Sequence, residues 1–204
     1  MFLIKERESG KKMKIDSMKL KLENMLDQER WNHSLNTSQI AYELAIRFGA
    51  DSNKARIAGL LHDCAKNITF KKLKEIAIIH KIKFDVKIDN IPKVLHSFVG
   101  EIIAMQEFKI REPDILQAIR LHSTGGANMS ILDKIVYLSD KIEPLRNFKG
   151  ITKIRQMALK DLDKAILMLL DEGLISLIQK GLLIYPATIE ARNEILSKVV
   201  IIDA

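Results

Sequence analysis

Apolar residues recur along most of this chain at the three- and four-residue spacing that places side chains on one face of an α-helix. One such stripe starts at Ile15 and continues through Met18, Leu22, Met25 and Leu26. Alternating strand patterns are scarce. Four prolines and nine glycines in 204 residues are too few for a turn-rich β-sandwich. The sequence therefore predicts an all-α fold, a single bundle of helices.

Capping residues predict where the helices begin and end. Polar side chains that favour helix N-caps are Ser34, Asp51 or Ser52, Thr69 and Ser130. Gly49 suits a helix C-terminus, and Pro113 suits the first turn of a later helix. Residues 152–200 are expected to form two or three helices, with breaks near Gly173, Gly181 and Pro186.

The first stripe also divides the chain. Residues 1–14 contain Gly10, Lys11 and Lys12 and precede the stripe, so we expect them to form a flexible N-terminal extension. Residues 15–204 are close in length to a typical single domain of about 150 residues. They are expected to form one domain that ends in C-terminal helices.

Several features bear on the cellular environment. No run of 18 apolar residues occurs, so no membrane helix is expected. Cys64 is the only cysteine, which precludes an intrachain disulfide and suits a reducing compartment. The first residues lack the basic-then-apolar order of a secretory signal. These features predict a cytoplasmic protein.

The chain is basic, with 33 Lys and Arg against 26 Asp and Glu and a formal net charge of +7. Such an excess favours an anionic partner: a nucleotide, a nucleic acid or an acidic protein. The alternative is a solvated surface with surplus lysine, because the lysines form no long run.

Histidines and aspartates are the most informative polar residues. A single histidine near an apolar segment is most often part of the core. Here, however, His62-Asp63, His96, His122 and Asp140 each lie on or beside the apolar side of a different predicted helix. Core-facing helices can bring such side chains to one point. Imidazole and carboxylate ligands suit Fe, Mn, Co, Ni or Zn, and the single cysteine excludes a closed thiolate zinc site.

The adjacent pair His62-Asp63 has a further use. A carboxylate has two oxygens, so Asp63 could bridge two metal ions. Two ions about 3.5–4 Å apart can clamp a hydroxide for attack on phosphorus. Hydrolysis of a phosphate ester or phosphoanhydride is therefore the natural reaction class.

The order His33, His62-Asp63, Asp140 resembles the signature of the HD-domain phosphohydrolases. More closely, the chain resembles the YqeK family within them. The matching stretches are residues 30–34, 58–66, 95–100, 122–125 and 133–146, and the resemblance covers roughly residues 18–190.

This resemblance implies an all-helical HD domain with a di-iron centre. It implies that His33, His62, Asp63 and Asp140 hold one metal ion and that Asp63, His96 and His122 hold the other. The implied reaction is symmetrical hydrolysis of diadenosine tetraphosphate to two ADP by a metal-bridging hydroxide, with Asp63 and Lys66 as catalytic residues.

Other residues are candidates for binding the substrate. Lys66 could neutralise a phosphate oxygen, and Arg30 and Arg146 could form paired hydrogen bonds with phosphate oxygens. Thr124 and Gly125 could bring a hydroxyl group and a bare backbone close to a ligand. The alternative interpretations are that Lys66 is a solvated lysine, that Arg30 and Arg146 form ordinary ion pairs, and that Thr124 and Gly125 only end a helix. Asp133 is either a partner of a ligand histidine or an acid near a cap, whereas His80, Cys64 and Trp31 are interpreted as structural.

Three functions remain in competition. The first is hydrolysis of a dinucleoside polyphosphate. The second keeps the site but changes the substrate, giving a nucleotide phosphohydrolase or a cyclic-dinucleotide phosphodiesterase. The third is a basic helical module that binds RNA or an acidic protein around a structural metal. The complete ligand set argues against the third, so nucleic acid is disfavoured as a partner. A homodimer is compatible with the sequence.

Overall fold

The computed structural model describes residues 15–84 and 86–202, which form ten α-helices and one short 3₁₀ helix, with no β-strand among them. The all-α prediction is therefore confirmed. The predicted extension over residues 1–14 lies outside the described residues. The helices are α1 (15–23), α2 (Gln28–Phe48), α3 (Ser52–Leu61), α4 (Phe70–Ile79), α5 (Leu95–Glu107), α6 (Pro113–Leu121), α7 (Ile131–Ile142), α8 (Ile151–Ala158), α9 (Leu162–Gln179) and α10 (Pro186–Ile202).

Most predicted helix ends are found where local chemistry places them. The side chains of Asp51 and Thr69 accept backbone N–H groups at the starts of α3 and α4. Ser130 and Asp133 form a reciprocal capping box at the start of α7. Gly49 ends α2 in the left-handed region, with φ of 72°.

Two predicted boundaries are wrong. Ser34 lies inside α2, because Asp27 caps that helix by accepting the N–H of Arg30 at 2.8 Å. Gly173 does not interrupt α9, which continues to Gln179. A helix-interior glycine costs only about 0.5–1 kcal/mol relative to alanine, and the buried face of α9 outweighs this cost.

Apolar residues from α1 to α10 form one continuous cluster of buried side chains. Helices α2 and α3 approach especially closely at Gly59, where a Cβ atom would lie 3.0 Å from both the Ala41 Cβ and the Thr37 carbonyl oxygen. The absence of a side chain at Gly59 therefore allows α2 and α3 to pack closely. The predicted single unit over residues 15–204 stays a prediction, because it includes residues outside the described ranges.

Within residues 15–84 and 86–202, no helix has the length and apolar character required to cross a bilayer.

Candidate metal centre

Helix ends bring the predicted ligands together. His33 lies in the second turn of α2, and His96 is the second residue of α5. Asp140 lies in the last turn of α7. The others directly follow helices: His62 and Asp63 come after α3, and His122 comes after α6. All six side chains are buried, with at most 6% of any residue exposed.

One group of ligand atoms gathers around His33. Its Nε2 atom lies 3.0 Å from Nε2 of His62 and 3.0 Å from Oδ1 of Asp140. Nε2 of His62 lies 3.7 Å from Oδ2 of Asp63 and 3.7 Å from Oδ1 of Asp140. The ligand atoms of His33, His62 and Asp63 all lie within 4.8 Å of one another, and so do those of His62, His122 and Asp140. Each of these sets is close enough to hold one metal ion.

A second group gathers around the other oxygen of Asp63. Oδ1 lies 3.0 Å from Nε2 of His96 and 3.4 Å from Nε2 of His122. The two imidazole nitrogens are 3.2 Å apart. The carboxylate of Asp63 therefore lies between the two groups, with one oxygen towards each.

The proton positions on three of the rings explain why these atoms would attract a cation. Nδ1 of His62 and Nδ1 of His122 lie 2.8 and 2.7 Å from the carbonyl oxygens of Gly59 and Ile119. A carbonyl oxygen only accepts, so both Nδ1 atoms donate, and in the neutral form of each ring Nε2 carries a lone pair. Nδ1 of His33 likewise donates to Oε1 of Glu143 at 3.1 Å. Three lone pairs thus face carboxylate oxygens, and a bound metal ion would relieve their repulsion.

Burial sets the protonation states that metal ligands need. Loss of solvent lowers the pKa of His62 to about 3 and that of His96 to about 4, so both rings are neutral at pH 7. Burial opposes ionisation of Asp63, but its pKa lies well below its ordinary value, and the cations of Arg30 and Lys66 lie 3.5 and 3.6 Å from its oxygens. Neutral imidazoles and ionised carboxylates are the forms that bind metal ions.

A cavity of about 380 Å³ opens onto these ligands, and four cations line it: Lys66, Lys93, Lys141 and Arg146. Nζ of Lys66 lies 3.0 Å from Nε2 of His96 and 3.6 Å from Oδ1 of Asp63. Nη2 of Arg146 donates to Oδ1 of Asp140 at 2.6 Å. The cavity therefore combines metal-ligand atoms with positive charge, as a polyphosphate site requires.

The other candidate residues are placed differently. Nη1 of Arg30 lies 3.5 Å from Oδ2 of Asp63, at the edge of the ligand groups. Thr124 is buried and lines a neighbouring apolar cavity. The N–H of Gly125 donates to the carbonyl of Leu121, and a Cβ atom at Gly125 would lie 3.1 Å from the Cβ of Ala191 in α10. A substrate contact by Gly125 stays a prediction.

Sequence reasoning missed two residues of this centre. Glu143 holds His33 through Oε1, and its Oε2 atom accepts from Nδ2 of Asn36 at 3.1 Å and from the N–H of Leu145 at 2.8 Å. Lys141 donates to Oδ2 of Asp140 at 2.8 Å and to the carbonyl of His122 at 3.0 Å. Both lie within the stretch 133–146 that carries the family resemblance, which was the only signal available.

Residues interpreted as structural lie away from the ligand atoms or in the core. His80 is exposed and lies near Gln106. Trp31 and Cys64 are buried in the core cluster, and the Cys64 thiol points towards the Gly100 carbonyl. Oδ2 of Asp133 accepts from the N–H of Ser130 and from Gln117, so this acid is part of the cap.

Comparison with known proteins identifies the family of this chain. The HD domain family model matches residues 30–145. The chain is 34% identical over 176 residues to the "Bis(5'-nucleosyl)-tetraphosphatase, symmetrical" of Bacillus subtilis, covering 86% of this chain and 94% of that protein. It is 37% identical over 174 residues to the protein of the same name from Halalkalibacterium halodurans, covering 84% and 91%.

A solved structure is also similar. The crystal structure of a predicted HD superfamily hydrolase involved in NAD metabolism from Clostridium acetobutylicum matches with a TM-score of 0.86 and 42% identity. The match covers 90% of this chain and 97% of that one.

Proposed function

This chain belongs to the HD-domain family, and we propose that its two groups of histidine and aspartate ligands hold two metal ions for the hydrolysis of diadenosine tetraphosphate to two ADP. The sequence-based prediction of a symmetrical dinucleoside tetraphosphate hydrolase is confirmed, because relatives matched along nearly their whole length are named symmetrical bis(5'-nucleosyl)-tetraphosphatases. The observation that supports the two-ion centre is the carboxylate of Asp63, which offers one oxygen to each ligand group.

Iron is the metal we propose, and Mn, Co, Ni and Zn suit the same imidazole and carboxylate ligands. His33, His62, Asp63 and Asp140 would hold one ion, and Asp63, His96 and His122 would hold the other. Bound ions would supply Lewis-acid activation of the phosphoanhydride and would lower the pKa of water.

The chain's own side chains would bind and orient the polyphosphate. Lys66 and Arg146 lie at the cavity wall, where their charges can offset those of the phosphate oxygens. Nε of Arg146 donates to the Asp140 carbonyl at 2.8 Å, which fixes the direction of the guanidinium group. Arg30, whose Nη1 atom lies 3.5 Å from Oδ2 of Asp63, would add a further positive charge near the phosphates. A cytoplasmic location and a homodimer stay predictions.

The products of the reaction test the function directly. Metal-loaded protein incubated with diadenosine tetraphosphate is expected to give ADP as the only early product, separated by ion-exchange chromatography. In ¹⁸O-labelled water, one of each pair of ADP molecules should carry the label on its terminal phosphate, because water attacks the second phosphorus from one nucleoside. Equal amounts of AMP and ATP would contradict the symmetrical cut. Cleavage of mononucleotides alone would favour the second candidate function.

Replacing Lys66 with alanine is expected to lower kcat by about 10²-fold, the usual cost of losing one group that stabilises transition-state charge. Metal content should not change, since Lys66 is not among the proposed ligands. Initial rates and elemental analysis measure the two quantities. Lys72→Ala is the matched control, because Lys72 is an exposed lysine paired with Glu75 on α4. An unchanged kcat in the Lys66 variant would assign this lysine to the solvated surface.

A further inference from the structure

A second cavity of about 390 Å³ adjoins the metal cavity. The two cavities share Lys93, Val94, Ser123 and Lys141 in their walls. Beyond these residues the second cavity is lined mainly by leucines of α9 and of the segment before α10, including Leu169, Leu170, Leu177, Leu182 and Leu183. Its volume lies in the range of about 300–1,000 Å³ that is typical of small-molecule sites. One ligand can therefore contact both cavities.

Lys141 marks the change in chemistry between the two cavities. Its ammonium group donates to Asp140 at 2.8 Å on the metal side. The same group lies 4.5 Å from the centre of the Tyr137 ring, which lines the apolar cavity. Burial raises the pKa of Tyr137, so its hydroxyl group is neutral. The wall of the metal cavity is therefore positively charged and that of the second cavity is neutral and apolar, and Lys141 lies at the boundary between them.

We infer that the apolar cavity holds the base and ribose of one nucleoside of the substrate, whose phosphates then pass Lys93 and Lys141 to the metal ions. This inference rests on the proposed function, and it assigns the apolar cavity as the subsite for one nucleoside of the substrate. The leucine and tyrosine side chains suit a flat heteroaromatic base. Thr124, Ser176 and Thr188 add hydroxyl groups to the cavity wall. The Thr124 hydroxyl donates to the Gly125 carbonyl and that of Ser176 accepts from Lys180, but each oxygen can still accept a hydrogen bond from a ribose or from the polar edge of the base. A nucleoside anchored at this fixed depth would determine which phosphorus reaches the metal ions.

Gly173 lies at the centre of the α9 face that lines this cavity. Positions 169, 170, 173, 176 and 177 follow the three- and four-residue spacing of one helix face. A Cβ atom at Gly173 would meet no heavy atom within 4 Å. Glycine is unfavourable inside a helix, and here it leaves open space beside the cavity. A large side chain at this position would occupy the space proposed for the nucleoside.

The test compares Gly173→Phe, Gly173→Leu and the unmodified protein, all metal-loaded. Calorimetric titration measures the binding of ADP, which has a nucleoside, and of pyrophosphate, which has none. We expect Gly173→Phe to weaken ADP binding by about tenfold or more, Gly173→Leu to have an intermediate effect, and pyrophosphate binding to stay unchanged. The KM for diadenosine tetraphosphate should rise in parallel with the dissociation constant of ADP. Thermal unfolding checks that each variant is folded.

Ile175→Phe is the matched control, because Ile175 is on the same helix, is 50% exposed and does not line the cavity. It should bind both ligands as the unmodified protein does. Unchanged ADP binding in Gly173→Phe would overturn the subsite, and so would an equal loss of ADP and pyrophosphate binding. Absence of turnover in the unmodified protein would contradict the proposed function alone, since the binding measurements need no hydrolysis.

Discussion

Replacing Asp63 with alanine is expected to remove both metal ions and to lower hydrolysis of diadenosine tetraphosphate by more than about 10³-fold, because Lewis-acid stabilisation is worth several kcal/mol. Oδ2 of Asp63 faces His62 at 3.7 Å, and Oδ1 faces His96 at 3.0 Å. The substitution therefore takes one ligand atom from each group at once. Elemental analysis per chain and initial rates measure the two effects.

The control for this variant is His80→Ala. His80 is exposed on the C-terminal side of α4 and contacts Gln106 rather than the ligand groups. Metal content and activity should both be retained. Retained activity in the Asp63 variant would contradict the bridging role, and one or no ion per chain in fully loaded wild-type protein would contradict a two-ion centre.

Glu143→Gln is expected to weaken metal binding and activity by about 10–100-fold, the usual cost of losing a partner that orients a ligand. One oxygen of Glu143 accepts from Nδ1 of His33, and the other accepts from Asn36 and Leu145. A glutamine has one oxygen and one donor group, so it cannot accept from both sides. If its NH₂ group faces His33, the proton of the ring must move to Nε2, which removes the lone pair proposed for the metal.

Competition with a chelator measures the affinity, and ¹⁵N shifts of the His33 ring report the tautomer. Glu101→Gln is the control, because Glu101 is partly buried and pairs only with Arg120 among the ion pairs of the described residues. It should leave affinity and tautomer unchanged. Wild-type affinity in the Glu143 variant would show that packing alone orients His33.

Local chemistry made much of the fold predictable. The N-caps Asp51, Thr69 and Ser130 act on N–H groups two or three residues away, so the sequence pattern contains the whole interaction. The error at Ser34 has the same origin, because Asp27 offers an equally local cap that the apolar pattern did not reveal. The error at Gly173 has a different origin, because α9 continues through this glycine only when neighbouring residues of the helix pack into the core.

The identities of the candidate ligands were available from the sequence, because histidine and aspartate in this order resemble a known signature. The sequence did not reveal which atom of each side chain faces the metal centre. His33 and Glu143 are 110 positions apart in the chain, and their hydrogen bond exists only because α2 packs beside the end of α7.

The sequence by itself determined the helical class, most helix ends and the set of residues able to bind metal, since these follow from periodicity and side-chain chemistry. Only the tertiary structure decided which nitrogen of each ring faces the centre and that Asp63 lies between two groups of ligands. It also decided that an apolar cavity adjoins them. These properties arise where ends of distant helices meet, and that meeting depends on the packing of the whole core.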